Sequence, residues 1–289
     1  MKPAAFEYVR PTTLAEALAA LDHDDAKLLA GGQSLVPMMN FRLVQPERIV
    51  DINHVAELRG IVEDGDAVRI GALTRHAEAA RDPLLARMLP VVAEAMANVA
   101  HVAIRNRGTI GGSLCHADPS AEWPLLTVLL DASIDIASAA GRRSEPGDGF
   151  FIAPLVTALE DGEIVVAVRV PRPAPGTGMA FLEVAQRAGD FAAAAAGATV
   201  RLDGDRIVEA RLALGGVADA PMRLAAIEAA LAGADRRDIA DAVADAAADL
   251  EPNDDMHASA DYRRRLIPVL ARRALERAAE RSSTLAMVK

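Results

Sequence analysis

Arg105-Asn106-Arg107-Gly108-Thr109-Ile110-Gly111-Gly112-Ser113-Leu114-Cys115-His116-Ala117-Asp118-Pro119-Ser120-Ala121-Glu122-Trp123-Pro124 is the stretch around which the chain is organised. Gly108, Gly111 and Gly112 fall within five positions, beside two hydroxyl side chains, Thr109 and Ser113. Glycine adopts positive φ freely, so several N–H groups can turn into one concavity that accepts a phosphate without a basic side chain. A tight turn explains a lone Gly-Gly equally well. However, a second stretch of the same kind, Ala30-Gly31-Gly32-Gln33-Ser34-Leu35-Val36-Pro37, lies upstream. Each follows an apolar segment and leads into another. Two such loops can clasp the two phosphates of a dinucleotide from opposite sides.

Working outward, 289 residues predict one large domain or two modest ones. The chain is 52% hydrophobic but only 3% aromatic, so its core must be built from Ala, Val, Leu and Ile. A formal net charge of −10 argues against nucleic-acid or anionic-membrane binding. An anionic cofactor must then be held by local amides and dipoles. The single cysteine, Cys115, excludes an intrachain disulfide, a CxxC site and ligation of an iron–sulfur cluster within this chain. No apolar signal core opens the sequence and no run is long enough to span a bilayer, so a cytoplasmic location is expected.

The pattern predicts strands at Phe6–Val9, Lys27–Leu29, Arg48–Asp51, Ser133–Ala137 and Glu163–Val170. Hairpins are expected about Asp64-Gly65 and between Ala198–Leu202 and Arg206–Leu214. Thr13 and Glu16 spell a capping box for a helix ending near Leu21, and Thr74 can cap another. Leu35–Met39 reads as a short helix. Leu84–Val99 reads as one amphipathic helix, with a core stripe of Leu85, Met88, Leu89, Val92, Met96 and Val99. Trp123–Leu130 is a buried helix, and Ala139–Gly149 is a loop. Helices at Met222–Leu231, Ile239–Ala247 and about Ala260–Arg281 close the chain, with a kink expected at Pro268. Arg263, Arg264, Arg265, Arg272 and Arg273 read as a solvated face. Pro171–Gly178 is the expected domain boundary.

No GxGxxG follows a strand and no GxxxxGK[ST] exists, so neither a nicotinamide-type Rossmann fold nor a P-loop is supported. No HExxH points to zinc. His101 and His116 bracket the second loop as hydrogen-bonding groups. Cys115 reads as an ordinary buried cysteine, since its neighbour His116 points elsewhere on any regular backbone. Glu122 opens an apolar helix after the second loop. The helix dipole favours a carboxylate there, and the same carboxylate can accept hydrogen bonds from polyol hydroxyls.

Lys27–Leu43 and Arg105–Glu122 resemble the two flavin-binding motifs of the FAD-binding (medium) subunit of molybdenum hydroxylases, the xanthine dehydrogenase and carbon-monoxide dehydrogenase flavoprotein family. A third motif, Arg187-Ala188-Gly189-Asp190-Phe191-Ala192, follows in order, so the resemblance spans essentially the whole chain. It implies an α+β fold with an FAD-binding domain of the vanillyl-alcohol-oxidase (PCMH) type over 1–175, in subdomains of about 1–57 and 58–175. A C-terminal domain with an antiparallel sheet and helices follows at 179–289. It implies that Leu28, Leu29, Ala30, Gly31, Gly32, Gln33, Ser34 and Leu35 wrap the pyrophosphate. Thr109, Ile110, Gly111, Gly112 and Ser113 hold it from the other side. Glu122 bonds the ribityl or ribose region, and Val99 and Val165 line the flavin or adenine.

Two positions depart from the family pattern. Ser113 stands where several relatives carry Asp or Asn, and Glu183 where some carry a lysine that reaches the flavin. An acid at 183 cannot stabilise an anionic reduced flavin as lysine would. Ile104–Arg107 and His116–Pro119 are worded more like the branch acting on N-heteroaromatic or related small substrates than like animal xanthine dehydrogenase.

The function implied is electron transfer through FAD to an external acceptor. Electrons arrive from [2Fe–2S] clusters on a small partner subunit, and a large subunit carries the molybdenum–molybdopterin centre. A dimer of heterotrimers is expected, with no catalytic acid or base and no metal on this chain. The alternatives are a self-sufficient flavin oxidoreductase of the same superfamily and a non-enzymatic subunit with a degenerate site.

Overall fold

The computed structural model describes residues 2–287. The N-terminal unit contains β1 (Glu7–Val9), α1 (Leu14–Leu21), β2 (Ala26–Leu29), α2 (Leu35–Asn40) and β3 (Arg48–Asp51). Its strands form a parallel sheet in the order β1-β3-β2. The expected capping box starts α1: Thr13 accepts from the Glu16 N–H and Glu16 reaches back to the Thr13 N–H.

The middle unit runs β4 (Ile61–Asp64), β5 (Ala67–Gly71), α3 (His76–Ala79), α4 (Pro83–Met88), α5 (Val91–Asn98), α6 (Val102–Arg105), α7 (Ile110–His116) and α8 (Glu122–Leu129). It continues with β6 (Ser133–Ser138), β7 (Gly141–Pro146), α9 (Gly147–Phe150), β8 (Phe151–Ala153), β9 (Val156–Thr157) and β10 (Ile164–Pro171). Its main sheet has the order β4-β5-β10-β6-β7 and is antiparallel. Strand β10 is buried on both faces. Ile164 and Val166 pack with Val50, Ile52 and Leu58 of the N-terminal unit, while Val165, Val168 and Val170 pack with the helices. A bulge between Val165 and Ala167 reverses the alternation, which turns Val165 and Val168 to the same side.

The C-terminal unit contains β11 (Gly178–Val184), β12 (Ala194–Asp203), β13 (Arg206–Gly215), β14 (Met222–Arg223), α10 (Ala225–Leu231), α11 (Ile239–Ala242) and α12 (Ala260–Met287). Its antiparallel sheet has the order β11-β12-β13-β14. Ala194, Ala196, Ala198 and Val200 bury one face of β12 with Ala271, Ala274 and Ala278 of α12. Small side chains let helix and sheet approach closely, which is how a core with so few aromatics is filled.

Several elements differ from the sequence reading. The expected helix over Leu84–Val99 is two helices. Pro90 drives Leu89 out of the helical region (φ −138, ψ 60), yet Leu85, Leu89, Val92 and Met96 remain buried. Ala139–Gly149 is not a loop: Gly141–Pro146 pairs with β6 as a sheet edge, where backbone pairing needs no apolar pattern. Strand β11 was not anticipated, and β12 begins at Ala194, because a run of alanines carries no strand signal. Met222–Arg223 is strand, so α10 starts only at Ala225, and α11 stops at Ala242. Thr74 caps nothing; Arg75 is the residue preceding α3, and the Thr74 hydroxyl is buried without a partner. Helix α12 continues through Pro268.

Arg263 is also not solvated. It is 2% exposed and its guanidinium spans the start of α12. Nε donates to Ala193 O (2.9 Å), Nη1 to Ala258 O (3.1 Å) and Asn253 O, and Nη2 to Asp255 (2.8 Å). Arg263→Ala strands those acceptors and should cost about 2–4 kcal/mol of stability, whereas Arg264→Ala removes one exposed pair with Asp261 and should cost less than about 0.5 kcal/mol. Thermal unfolding of the two variants side by side checks this.

Candidate FAD-binding site

Where the three units meet, a cleft of about 1030 Å³ opens. Its size suits a ligand larger than a typical small metabolite. One wall is the turn that follows β2. There Gly32 adopts φ +74, and a Cβ would lie 3.1 Å from Leu29 Cδ1 and 3.2 Å from Val36 Cγ2. Gln33 donates from Nε2 to Gly31 O at 3.1 Å, closing the turn on itself. Among the described residues, no protein acceptor takes the N–H groups of Gly32, Gln33, Ser34 or Leu35. This loop therefore presents the row of free amides that the sequence reading assigned to both loops.

The second segment is built differently. Thr109 is the N-cap of α7, its hydroxyl accepting from Gly112 N at 3.1 Å. The N–H of Ile110 donates to Thr74 O, that of Gly111 to Ala72 O, and that of Ser113 to Thr109 O. These amides are spent, and Gly108, Gly111 and Gly112 have no positive φ. The glycines are there for close packing. A Cβ on Gly111 would meet Ala72 Cβ at 2.7 Å, and one on Gly108 would meet His76 Cδ2 at 2.7 Å. The expectation of a second amide nest is thus corrected: this segment offers the cleft a tight surface and the Ser113 side chain.

Leu28, Ala30, Gly31, Gly32, Gln33, Ser34, Leu35, Val99, Thr109, Gly111, Gly112, Ser113, Glu122 and Val165 all line the cleft. Leu29, Ile110 and Glu183 do not. Leu29 supports Gly32 from beneath and Ile110 is fully buried in the core. Glu183 lies on β11, where Oε2 is buried without a partner. Among the parts of the cleft lining that the sequence does not mark as site are Leu159–Glu163 before β10, the neutral His76, and Met256–His257. Asp161-Gly162 is a readable turn signal, but nothing in it is chemical. The third motif does reach the rim, where Gly189 has φ +87 and a Cβ would meet Ala100 O at 2.9 Å.

Two acids at or beside the cleft, Glu122 and Glu183, have raised pKa values. Burial, then the neighbouring Glu183 charge, pushes the Glu122 carboxyl up to about 8; Asp118 adds to the rise and Arg105 opposes it. Burial raises Glu183 to about 7. The dipole-stabilised carboxylate expected at Glu122 is therefore a carboxylic acid near neutral pH, able to donate a hydrogen bond as well as accept one. Burial and then Arg75 and Arg105 lower His76 to about 4, and Trp123 Nε1 donates to its Nδ1 at 3.1 Å. Cys115 is not a core cysteine. It is exposed to the cleft, and desolvation by the surrounding protein pushes its thiol up to about 12.

The model of the FAD-binding domain in molybdopterin dehydrogenase matches residues 4–173, and that of the CO dehydrogenase flavoprotein C-terminal domain matches 179–278. The chain belongs to the FAD-binding medium subunits of the molybdenum hydroxylases. It is 40% identical to the carbon monoxide dehydrogenase medium chain of Hydrogenophaga pseudoflava over 96% of this chain and 98% of that one. It is 38% identical to the caffeine dehydrogenase subunit beta of a Pseudomonas strain over 97% of each chain. Among solved structures, a chain of quinoline 2-oxidoreductase from Pseudomonas putida superposes with a TM-score of 0.93 and 40% identity, covering 98% of this chain and 99% of that one. The FAD subunit thus has a mixed α/β FAD-binding portion followed by an antiparallel sheet with helices, as its relatives do.

A pH dependence follows from the two acids. Their folded-state values lie above the ordinary 4.5, so between about pH 4.5 and 8 the folded chain binds more protons than the unfolded one. That contribution is complete below pH 4.5 and is lost as pH rises through 7–8. The unfolding temperature of the flavin-free chain should fall from pH 5.5 to 8.5, and Glu122→Gln with Glu183→Gln should flatten the decline. An unchanged slope in the double variant contradicts the assignment.

Proposed function

We propose that FAD lies in this cleft with its pyrophosphate on the amides of Gly32–Leu35, a row of cleft-lining N–H groups that no protein acceptor takes among the described residues. That row is the observation on which the placement rests. In a chain of net charge −10, fixed amide dipoles bind an anion where side-chain charge is scarce. Among the described residues, Lys27 is the one lysine that lines the cleft. Ser113 and the Thr109 segment close the opposite side, the Glu122 carboxylic acid bonds a sugar or ribityl hydroxyl, and Val99 and Val165 supply apolar wall. Bound FAD supplies reversible acceptance of two electrons. The chain's own residues bind it and fix its orientation, and burial keeps Glu122 protonated near neutral pH.

This subunit passes electrons through FAD to an external acceptor within a multi-subunit molybdenum hydroxylase. With one cysteine it cannot supply the four ligands a [2Fe–2S] cluster usually takes, so electrons enter from a partner. We infer a dimer of heterotrimers with the large molybdopterin and small [2Fe–2S] subunits, located in the cytoplasm. No helix among the described residues is long and apolar enough to cross a membrane. We read 1–175 as the FAD domain and 179–289 as the second domain, joined by the proline-rich stretch. Substrate is chosen elsewhere: relatives of 40% and 38% identity are named for carbon monoxide and for caffeine.

Three measurements test this. Gly32→Val should weaken FAD at least about a hundredfold with the circular-dichroism spectrum retained, because it fills the loop and resists φ +74. Gly111→Val should instead lower the stability of the flavin-free chain, since it strikes Ala72. Under anaerobic conditions, substrate should bleach the flavin only when the large and small subunits are co-purified. Equal bleaching of the isolated chain would establish a self-sufficient oxidoreductase instead.

A further inference from the structure

The loop after β2 belongs to the parallel sheet of the N-terminal unit, whereas the Thr109 segment is sewn by backbone bonds to Ala72–His76 beyond the antiparallel sheet. The two nevertheless touch. A Cβ on Gly31 would lie 2.4 Å from Arg107 O and 2.8 Å from Gly108 Cα. Contact without space leaves open what holds the two segments in register, since each is anchored to a different sheet.

A line of side-chain bonds crosses that seam. Asn53 Nδ2 donates to Ala30 O at 2.7 Å and to Leu29 O at 3.3 Å, gripping the first loop where it leaves β2. Asn53 Oδ1 accepts from Arg75 Nη2 at 2.5 Å. The other arm of the same guanidinium, Nη1, donates to Arg107 O, the carbonyl against which Gly31 is pressed. Asn53 is itself oriented from behind: Asp51 Oδ1 accepts from its Nδ2 at 2.6 Å and from its N–H at 3.0 Å, and the other Asp51 oxygen accepts from Tyr8. Burial pulls the Asp51 carboxyl upward, but the bonds from Tyr8 and Asn53 hold it below its ordinary value, so it stays charged. Each amide atom of Asn53 therefore has a partner of the right kind, which fixes the way the amide points. A planar guanidinium with two arms in one plane is the group that can hold both sides of a seam at a set distance.

We propose that Asn53 and Arg75 are positioning residues for the flavin site: a strap that sets the spacing between the free-amide loop and the Thr109 segment. Neither lines the cleft. The proposal rests on the placement of FAD argued above, because only a ligand spanning both segments reads their spacing. Loosening the strap lets the segments drift by fractions of an ångström, and a ligand bonded to both loses affinity although none of its direct contacts is removed.

The test uses the full-length chain stripped of flavin, titrated with FAD, with unfolding temperature measured in parallel. Arg75→Met removes both arms. Asn53→Asp keeps size and the bond from Arg75 but sets an oxygen against Ala30 O and Asp51. Each should raise the FAD Kd about tenfold or more, with the unfolding temperature of the flavin-free chain within a few degrees of wild type. Arg75→Lys, a single point charge without the fork, should fall between wild type and Arg75→Met. The double variant should be no weaker than the weaker single one, because both break one strap. Multiplying effects, or a lowered unfolding temperature with FAD affinity intact, overturn the proposal in favour of independent or merely structural roles. Gly32→Val is run alongside. If it binds FAD like wild type, the placement of FAD fails, and the strap fails with it.

Discussion

Backbone meets backbone where Gly31 lies against Arg107 and Gly108, and the geometry of the cleft depends on that contact. Any side chain at position 31 would overlap a carbonyl oxygen 2.4 Å away, so the two motif segments could not close on one another. The same economy recurs on the other side of the second segment. Gly108 lies on the His76 ring and Gly111 on Ala72, which brings α7 directly onto the end of β5. Gly31, Gly108 and Gly111 thus let the backbone of the second segment close on its neighbours from both sides.

Charge in this site is arranged by subtraction. The chain as a whole is acidic, and Glu122, Glu183 and Asp118 lie near the cleft, a setting that would repel a dinucleotide if all were ionised. Burial raises Glu122 to about 8 and Glu183 to about 7, and His76 is kept neutral by desolvation and then by Arg75 and Arg105. On the placement proposed for FAD, an anion meets main-chain dipoles whose direction the fold fixes and which cost no reorganisation on binding. Glu183 lies on β11 outside the cleft lining, and burial raises its carboxyl to about 7.

The C-terminal unit is tied to the flavin-binding units by polar as well as apolar contacts. Glu94 of α5 accepts from the Phe181 N–H of β11 at 3.0 Å and pairs with Arg281 of α12. Gly189 and Phe191 then reach the rim of the cleft from a loop that starts in that same sheet. Gln186 donates to His257 O at 3.1 Å, joining that loop to the segment before α12. The third motif is thus a rim element whose place depends on how the alanine-lined sheet packs under α12.

Read alone, the sequence determined the family, the cofactor and the dependence on partner subunits. These follow from local order: two glycine motifs and a third in sequence, and one cysteine where a cluster usually needs four ligands. It also placed most strands and the Thr13 capping box, since turn and cap chemistry acts over a few residues. Tertiary structure alone decided which amides are free. Ile110 and Gly111 look as available as Gly32 and Gln33 until Thr74 and Ala72, distant in the chain, arrive to accept their protons. The protonation of Glu122, the burial of Arg263 and the bridge from Asn53 through Arg75 to Arg107 were illegible for the same reason. Each is a property of what other segments bring within a few ångströms, and desolvation and long-range hydrogen bonding leave no periodic trace in the order of residues.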